Sequence, residues 1–202
     1  MFNDVCIILN GPPGCGKDTL ANLLAKAGYK GILKREFKHA LYKVTSEHFG
    51  IDYDQLLIFA RCREQKDTCR LPVLGNRTPR EALIYVSEEV MKPLHGEDYF
   101  GGVEAETIEA MRGNTATPSF DVVYSDGGFI QEAVRVSRTF KKTVVVRLHR
   151  EGFTFMGDSR NYVYPIDVPN MHSCDLILED GKEQQALHEL TMIYETLKQY
   201  AS

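Results

Sequence analysis

The sequence lacks a hydrophobic run long enough to cross a lipid bilayer, which requires about 20 apolar residues. It also lacks the features of a secretory signal, because Asp4 precedes the first apolar run and no basic segment stands before it. We therefore expect a cytoplasmic protein that has no membrane partner.

Cysteine pairs and excess positive charge are missing as well. The five cysteines form no C-x-x-C pair and have no matching histidine spacing, so we expect neither a zinc site nor a disulfide framework. The 24 Lys and Arg residues are outnumbered by 28 Asp and Glu residues, for a formal net charge of -4. This balance argues against a large nonspecific nucleic-acid surface, although basic residues concentrate locally at 61–80 and 147–150.

Apolar runs and helical patterns alternate along the chain. The run Val5–Asn10 is typical of a strand that is buried on both faces. Thr78, Pro79 and Glu81 form the pattern of a capping box at a helix start. Further strands are predicted at 31–37, 120–126, 142–150 and 174–180, and helices at 17–28 (ended by Gly28), 38–50, 52–65, 78–94, 96–113, 127–140 and 182–201. The alternation predicts an α/β protein of one domain, 1–202, with a parallel sheet flanked by helices.

The stretch "GPPGCGKDT" at 11–19 follows the first predicted strand and opens a helix. It fits the phosphate-binding pattern G-x-x-x-x-G-K-[ST] except at Asp18, and its context is that of a P-loop. Backbone N–H groups would surround phosphate oxygens, and Lys17 would bind the β- and γ-phosphates. The predicted nucleotide-binding residues are Gly11, Gly14, Cys15, Gly16, Lys17, Asp18, Thr19 and Leu20. We expect Lys17 to lie in a surface turn.

Two aspartates are candidates for a magnesium site. Asp18 stands where a hydroxyl usually binds Mg²⁺, and a carboxylate can do so directly or through water, with Thr19 beside it. Alternatively, Asp18 interacts favourably with the helix N-terminus. Asp126 ends a predicted strand and would bind Mg²⁺ or orient an acceptor, or else cap the next helix. Asp158 is either another such contact or a turn former.

The P-loop resembles those of the nucleoside monophosphate kinase class, and its G-K-D-T form is similar to phage deoxynucleoside monophosphate kinases. The resemblance continues through "FKHALYK", "TPREALIYVSEEVMKPLHGEDYFG", "VVYSDGGFIQEA" and "RLHREGFTFMGDSRNYV". It implies a P-loop kinase that uses ATP and Mg²⁺ to phosphorylate a deoxynucleoside monophosphate, in the host cytoplasm if the protein is phage-encoded. It also implies a helical acceptor-binding subdomain, here about 38–113, and a lid, here about 150–173. A homodimer is one possible assembly of the protein.

The resemblance also implies roles for arginines. Arg147, Arg150 and Arg160 are candidates to neutralise charge on the transferring phosphoryl group, or else they are ordinary surface residues. The phage kinases carry D-x-R-F after the third strand, whereas this chain has Gly128 at the arginine position. The predicted acceptor-binding residues are Arg77 and Arg80, which could replace that arginine, together with Asp126 and Phe129.

Other functions remain open. Related phage kinases phosphorylate 5-hydroxymethyluracil in DNA, and a hydroxyl acceptor would require a general base such as Asp18 or Asp126. A P-loop NTPase regulator is a further alternative, although "DGGF" lacks the D-x-x-G pattern of GTPases. The last alternative is a protein that binds a nucleotide without catalysing a reaction.

Overall fold

A computed structural model describes residues 4–27, 31–114, 119–158 and 160–201. In these residues five strands form one sheet of order β2-β3-β1-β4-β5, and every pairing is parallel. The strands are β1 Val5–Asn10, β2 Ile32–Arg35, β3 Asp121–Gly127, β4 Lys142–His149 and β5 Met171–Ile177. All six residues of β1 are buried, as expected for a central strand covered on both faces. The predicted fold class, a parallel sheet flanked by helices, is confirmed.

The helices follow the predicted order. They are α1 Lys17–Lys26, α2 Lys38–Phe49, α3 Tyr53–Arg61, α4 Arg63–Thr68, α5 Pro79–Ile84, α6 Lys92–His95, α7 Tyr99–Asn114, α8 Ile130–Ser137 and α9 Glu183–Ala201. A π-helical stretch, Tyr85–Met91, joins α5 to α6. None of the helices described here is long and apolar enough to cross a membrane.

The chain forms two compact units. The first, which we call the sheet unit, consists of Met1–Glu36 and Glu104–Ser202, and the second, the helical unit, is Phe37–Val103. The helical unit ends ten residues before the boundary near 113 that the sequence suggests. Its role in acceptor binding stays a prediction.

The core of the sheet unit lies between the strands and two helices. Leu20 and Leu24 of α1 pack with Leu190 and Tyr194 of α9 against the strands, including Val146 of β4. The register sets Asn10, the last residue of β1, beside Gly127 of β3 and Arg147 of β4. The carboxyl ends of the three central strands therefore meet at one edge, where ligands bind in sheets of this type.

The helical unit contains the predicted capping box. Thr78 Oγ1 accepts a hydrogen bond from Glu81 N at 3.2 Å, and Glu81 Oε2 accepts one from Thr78 N at 2.9 Å. Pro79 occupies the first turn, where its missing N–H costs least. Behind α5, Ala82 packs with Leu56 and Leu74 in a buried cluster.

Three predicted boundaries are corrected. The helix predicted at 52–65 is broken at Cys62, whose φ of -77° and ψ of 114° are extended, and a separate helix, α4, follows and ends at Thr68. The last strand is Met171–Ile177 rather than 174–180, because its pairing with β4 starts at Met171 opposite Thr143. The helix predicted to begin at 127 begins at Ile130. The predicted helix stop at Gly28 lies outside the described residues.

Candidate functional site

The turn between β1 and α1 has the backbone that a P-loop requires. Gly14 and Gly16 have φ values of 78° and 108°, in the left-handed region that glycine enters most easily. Gly16 is also the N-cap residue of α1, and as a glycine it has no side chain that could cap this end of the helix. The first N–H groups of α1 therefore point towards the turn and can bind an anion. The fold is that of a P-loop α/β protein.

Lys17 is folded into this turn. Its Nζ donates hydrogen bonds to the carbonyl oxygens of Gly11 at 2.6 Å and Pro12 at 2.7 Å, and it lies 3.7 Å from the buried Cys15 Sγ. Only 7% of Lys17 is exposed, so the expected surface position is wrong. Burial and the positive charge of Arg160 lower the pKa of Lys17.

The two residues after Asp18 differ in their surroundings. Thr19 is exposed in the first turn of α1, whereas the Leu20 side chain is buried in the core and its N–H donates to Gly16 O at 3.0 Å. The structure thus places Thr19, and not the Leu20 side chain, where solvent and a ligand can reach it.

Asp18 lies in a polar cluster at the carboxyl ends of β2 and β3. Its Oδ1 accepts hydrogen bonds from Lys34 Nζ at 3.0 Å and Ser125 Oγ at 2.8 Å. Glu36 belongs to the same cluster, with Oε1 3.3 Å from Lys34 Nζ and 3.4 Å from Ser125 Oγ. The Asp18 side chain remains 59% exposed. The Lys34 ammonium group thus contacts both carboxylates.

Arg160 pairs with Asp158, and Asp126 at the end of β3 is close enough for its charge to act on Arg160. Arg160 donates to both carboxylate oxygens of Asp158, from Nε at 2.8 Å and from a terminal nitrogen at 2.6 Å. Hydrogen bonding to Asp158 and the nearby charge of Asp126 raise the pKa of Arg160. Asp126 does not cap α8, because that helix begins at Ile130 with the half-buried Phe129 as its N-cap residue.

Arg150 and Phe153 pack beside the P-loop. A Cβ at Gly16 would be 3.7 Å from an Arg150 nitrogen, and one at Gly14 would be 3.2 Å from Phe153 Cε1. The Arg150 guanidinium lies 4.9 Å from the centre of the Phe153 ring and donates to Asp180 Oδ1 at 2.8 Å. This arrangement keeps one arginine close to the expected phosphate position.

Arg147 has different surroundings from Arg150 and Arg160. It is buried and donates to both oxygens of Asp175, at 2.8 and 2.7 Å, and to Ser173 Oγ at 2.9 Å. Its guanidinium also stacks 4.3 Å from the Tyr164 ring centre. These bonds join β4 to β5, so the structure favours a stabilising role for Arg147 over a role in phosphoryl transfer.

The predicted acceptor arginines lie in the helical unit. Arg80 is exposed and paired with Asp67, with Nε 2.6 Å from Oδ1. Arg77 stacks on Tyr85 with its guanidinium 4.2 Å from the ring centre. It lines a shallow pocket of about 330 Å³ that also includes Glu81 and Ile84.

Several residues of the site have no motif that marks them in the sequence. Lys34, Glu36 and Ser125 enter it because parallel pairing aligns the ends of β2 and β3. Asn10 is fully buried, donates to the carbonyl oxygens of Gly127 and Asn161, both at 3.1 Å, and accepts from Val163 N at 2.9 Å. The position of Ser125 directly before Asp126 at a strand end is the one signal that sequence reasoning could have used.

The donors at this edge fit Mg²⁺ in type. Carboxylate and hydroxyl oxygens are hard ligands, and Mg²⁺ commonly uses one or two carboxylates together with substrate phosphates. Among the described residues there is no group of three or more His, Cys, Asp or Glu that could hold a metal by themselves. A site shared with nucleotide phosphates suits this donor set better than an all-protein site.

Comparisons with known proteins give little information about the function of this site. No protein-family model matches the sequence, and no curated protein matches it significantly. A sugar kinase from a Janibacter species is similar in structure, with a TM-score of 0.43, 11% identity and coverage of 94% of this chain and 93% of that one. A gluconokinase from Sinorhizobium meliloti has a TM-score of 0.43 and 14% identity, and each chain is covered to 100%.

A shikimate kinase from Bacteroides thetaiotaomicron has a TM-score of 0.40 and 15% identity, with 95% of this chain and 98% of that one covered. At such low scores and identities the likeness carries no argument about activity or substrate. The fold assignment rests on the strand order and on the turn between β1 and α1.

Proposed function

We propose that the protein is an ATP- and Mg²⁺-dependent kinase that transfers the γ-phosphoryl group to a deoxynucleoside monophosphate. The observation that carries this proposal is the P-loop turn with buried Lys17, next to Arg150 and near Arg160 in the same unit. The sequence resemblance to phage deoxynucleoside monophosphate kinases supports the choice of acceptor.

The donor would bind at the N-terminus of α1. Lys17 Nζ now uses two of its protons on the carbonyl oxygens of Gly11 and Pro12. The β- and γ-phosphate oxygens of ATP would replace one or both of these acceptors, while the N–H groups of Gly16 and the first turn of α1 bind the same phosphates. Binding of the phosphates would also favour the protonated form of Lys17, which burial disfavours.

Asp18 and Asp126, with Ser125 beside them, are the residues that would hold Mg²⁺ together with the nucleotide. When bound, the ion neutralises negative charge on the β- and γ-phosphates. Lys34 would then exchange its contact with Asp18 for one with Glu36, whose Oε1 already lies 3.3 Å from Lys34 Nζ.

The transfer itself requires positioning and charge more than acid–base chemistry. An oxygen of the acceptor phosphate forms a bond to the γ-phosphorus, and the bond from that phosphorus to the β–γ bridging oxygen breaks, so that ADP leaves with the electron pair. Lys17, Arg150 and Arg160 would stabilise the charge that is spread over the equatorial oxygens. Because a phosphate acceptor is already anionic, no proton has to be removed from it.

The surroundings of Asp18 favour this phosphate acceptor over a hydroxyl. A hydroxyl group would need a carboxylate to take its proton. Asp18 Oδ1 accepts from both Lys34 and Ser125, and Asp126 lies near the charge of Arg160. Asp18 already accepts from a cation and a hydroxyl, and Asp126 lies near a cation, so neither carboxylate is well suited to take a proton from an acceptor. The competing acceptor is the hydroxymethyl group of 5-hydroxymethyluracil in DNA.

An acceptor assay tests the proposal directly. The protein would be incubated with Mg²⁺ and γ-labelled ATP, and separately with each of the four common deoxynucleoside monophosphates, DNA containing 5-hydroxymethyluracil, and matched DNA containing thymine. We expect label on at least one monophosphate. Label that appears only on the hydroxymethylated DNA would replace the monophosphate with the base hydroxyl as the acceptor.

A Lys17→Met variant prepared in the same way controls for contaminating kinases. If the wild type releases ADP at a rate that no acceptor changes, the protein is an NTPase rather than a kinase. If neither turnover nor nucleotide binding is found, the kinase function and the NTPase alternative both fail.

For the helical unit, Arg77→Gln should raise the acceptor KM if Arg77 binds the acceptor, whereas the ATP KM should stay unchanged.

A further inference from the structure

Gly128 lies directly under the side chain of Arg160. A Cβ added at Gly128 would lie 2.3 Å from Arg160 Cδ, 2.7 Å from Cγ and 3.2 Å from Cβ. The first two distances are shorter than any stable contact between carbon atoms, which is about 3.5 to 4.0 Å. The Arg160 side chain therefore occupies the space that any other residue at position 128 would fill.

The backbone at this position does not itself demand glycine. The φ angle of Gly128 lies outside the left-handed region, in contrast to those of Gly14 and Gly16. Gly128 is also buried at the turn between β3 and α8. The requirement for a missing side chain thus comes from the close approach of Arg160.

The Arg160 side chain that lies over Gly128 is held at its guanidinium end by Asp158. The Arg160 side chain is 26% exposed, and its guanidinium is held by both oxygens of Asp158. Gly127, the residue before Gly128, pairs with Asn10, which directly precedes the P-loop. Asn10 Nδ2 also donates to the carbonyl oxygen of Asn161, the residue after Arg160, at 3.1 Å. The charge of Asp126 acts on Arg160, and the charge of Arg160 acts on Lys17. One arginine thus lies within electrostatic reach of the P-loop lysine and of the carboxylate at the end of β3.

We propose that Gly128 is a positioning residue: because it has no side chain, Arg160 can lie beside the P-loop, where it acts in phosphoryl transfer. The proposal rests on the proposed kinase function. It also explains a departure of the sequence from the kinases that it resembles, because an arginine side chain at position 128 and the observed Arg160 cannot occupy the same space.

The first test compares two glycine-to-alanine substitutions. Gly128→Ala should displace Arg160 and lower kcat by about 100-fold, the effect of a shift of about 1 Å in a positioned group. The KM for ATP should change less than about twofold. Gly113→Ala is the matched control, because a Cβ there meets no atom of the described residues within 4 Å, and it should leave kcat unchanged. Equal kcat values for the two variants would overturn the proposal.

Because the atoms that an added Cβ would meet belong to a side chain and not to the backbone, we expect Gly128→Ala to fold normally. Thermal unfolding of the two alanine variants would check this expectation. A Gly128→Ala protein that unfolds much more readily than the wild type would show that Gly128 serves the fold, and the positioning role would then be rejected.

A double-mutant cycle separates positioning from a general disturbance. Arg160→Ala removes Cγ and Cδ, the two atoms that collide with an added Cβ. In that background Gly128→Ala should reduce kcat no further, because its effect acts only through Arg160. If the two substitutions multiply their effects on kcat, Gly128 acts by another route and the proposal is wrong.

A spectroscopic readout does not depend on turnover. The Arg160 Nε–Hε resonance, assigned by its loss in Arg160→Ala, should shift in Gly128→Ala and not in Gly113→Ala, because the bond to Asp158 is rearranged. A shift in a protein that lacks kinase activity would retain the seating of Arg160 and overturn only the kinase function. An unchanged resonance in an active kinase would overturn only the seating.

Discussion

Lys17 is the residue on which the proposed donor site depends most. Its buried position makes alanine a poor test, since truncation would leave both a cavity and two carbonyl groups without a partner. Lys17→Met keeps most of the side-chain volume and removes the charge. We expect kcat/KM to fall by about 100-fold or more, as when a preorganised charge donor is removed from a transition state.

The matched control is Lys26→Met, which makes the same substitution at an exposed position of the same helix. It should leave kcat/KM unchanged. Circular dichroism spectra of both variants would show that the fold is retained. Full activity in Lys17→Met would refute the P-loop assignment.

Asp175 gives a pH-dependent prediction at the residue scale. Hydrogen bonds from Arg147, and then from His149, hold the pKa of Asp175 well below its usual range. A carboxylate with a lowered folded-state pKa stabilises the protein above its unfolded pKa of about 3.9, and the stabilisation is lost as the pH falls below that value. Asp175→Asn should therefore lower the urea midpoint at pH 7, and its difference from the wild type should shrink below about pH 4.

Asp167→Asn is a suitable comparison because Asp167 is exposed and its positive φ of 57° is tolerated by asparagine. Its urea midpoint should follow the wild type at every pH. A constant difference between Asp175→Asn and the wild type from pH 7 to pH 3 would contradict the assigned role of the carboxylate charge.

The capping box of α5 is a prediction at the scale of a single element. Thr78 is buried and satisfies the N–H of Glu81 at the start of the helix. Thr78→Ala should lower the free energy of unfolding by about 1 to 2 kcal/mol. Urea denaturation followed by circular dichroism would measure the change.

Thr196→Ala offers a control within an exposed part of α9. The Thr196 hydroxyl donates to the carbonyl of Met192 four residues earlier, a bond that contributes little to helix stability. This substitution should be close to neutral, since alanine is also the better helix former. A loss as large as that of Thr78→Ala would speak against a special role of the cap.

The ends of the strands, also features of single elements, show where a sequence pattern loses accuracy. The apolar letters in "CDLILED" predict a strand at 174–180, whereas β5 starts at Met171 and ends at Ile177. β5 is an edge strand with exposed residues such as His172 and Ser173, so its first half has no apolar run to reveal it. The continuous apolar pattern of the central strand β1, by contrast, predicts both of its ends correctly.

At the scale of the whole sheet unit, a buried ion pair joins distant parts of the chain. Asp4 is fully buried, and its Oδ2 accepts from Arg112 Nε at 3.0 Å, while another Arg112 nitrogen donates to Thr139 O at 2.7 Å. Asp4→Ala would leave the Arg112 charge buried without its carboxylate. We expect the free energy of unfolding to fall by about 3 to 5 kcal/mol.

The double variant Asp4→Ala, Arg112→Met separates the pair from the packing around it. It removes the orphaned charge and should recover part of the lost stability, as measured by the urea midpoint. If the double variant is less stable than Asp4→Ala, the cost arises from packing of the Arg112 side chain against Phe120 and Phe140 rather than from the unpaired charge.

The sequence by itself determined the fold class, the P-loop and the capping box, because each depends on residues that are close together in the chain. Alternating strands and helices, the glycines at 14 and 16 and the triplet of Thr78, Pro79 and Glu81 are local signals of backbone conformation. The contributions of the P-loop residues to ATP and Mg²⁺ binding remain predictions.

Only the tertiary structure decided which charges meet. It pairs Asp18 with Lys34 and Ser125, commits Arg147 to Asp175, and places Arg160 over Gly128. The pairing of parallel strands and the path of the chain after β4 bring these residues together from separate parts of the sequence. No local pattern encodes such distances, because they depend on how segments that are far apart in the chain pack against one another, as Arg160 does against Gly128.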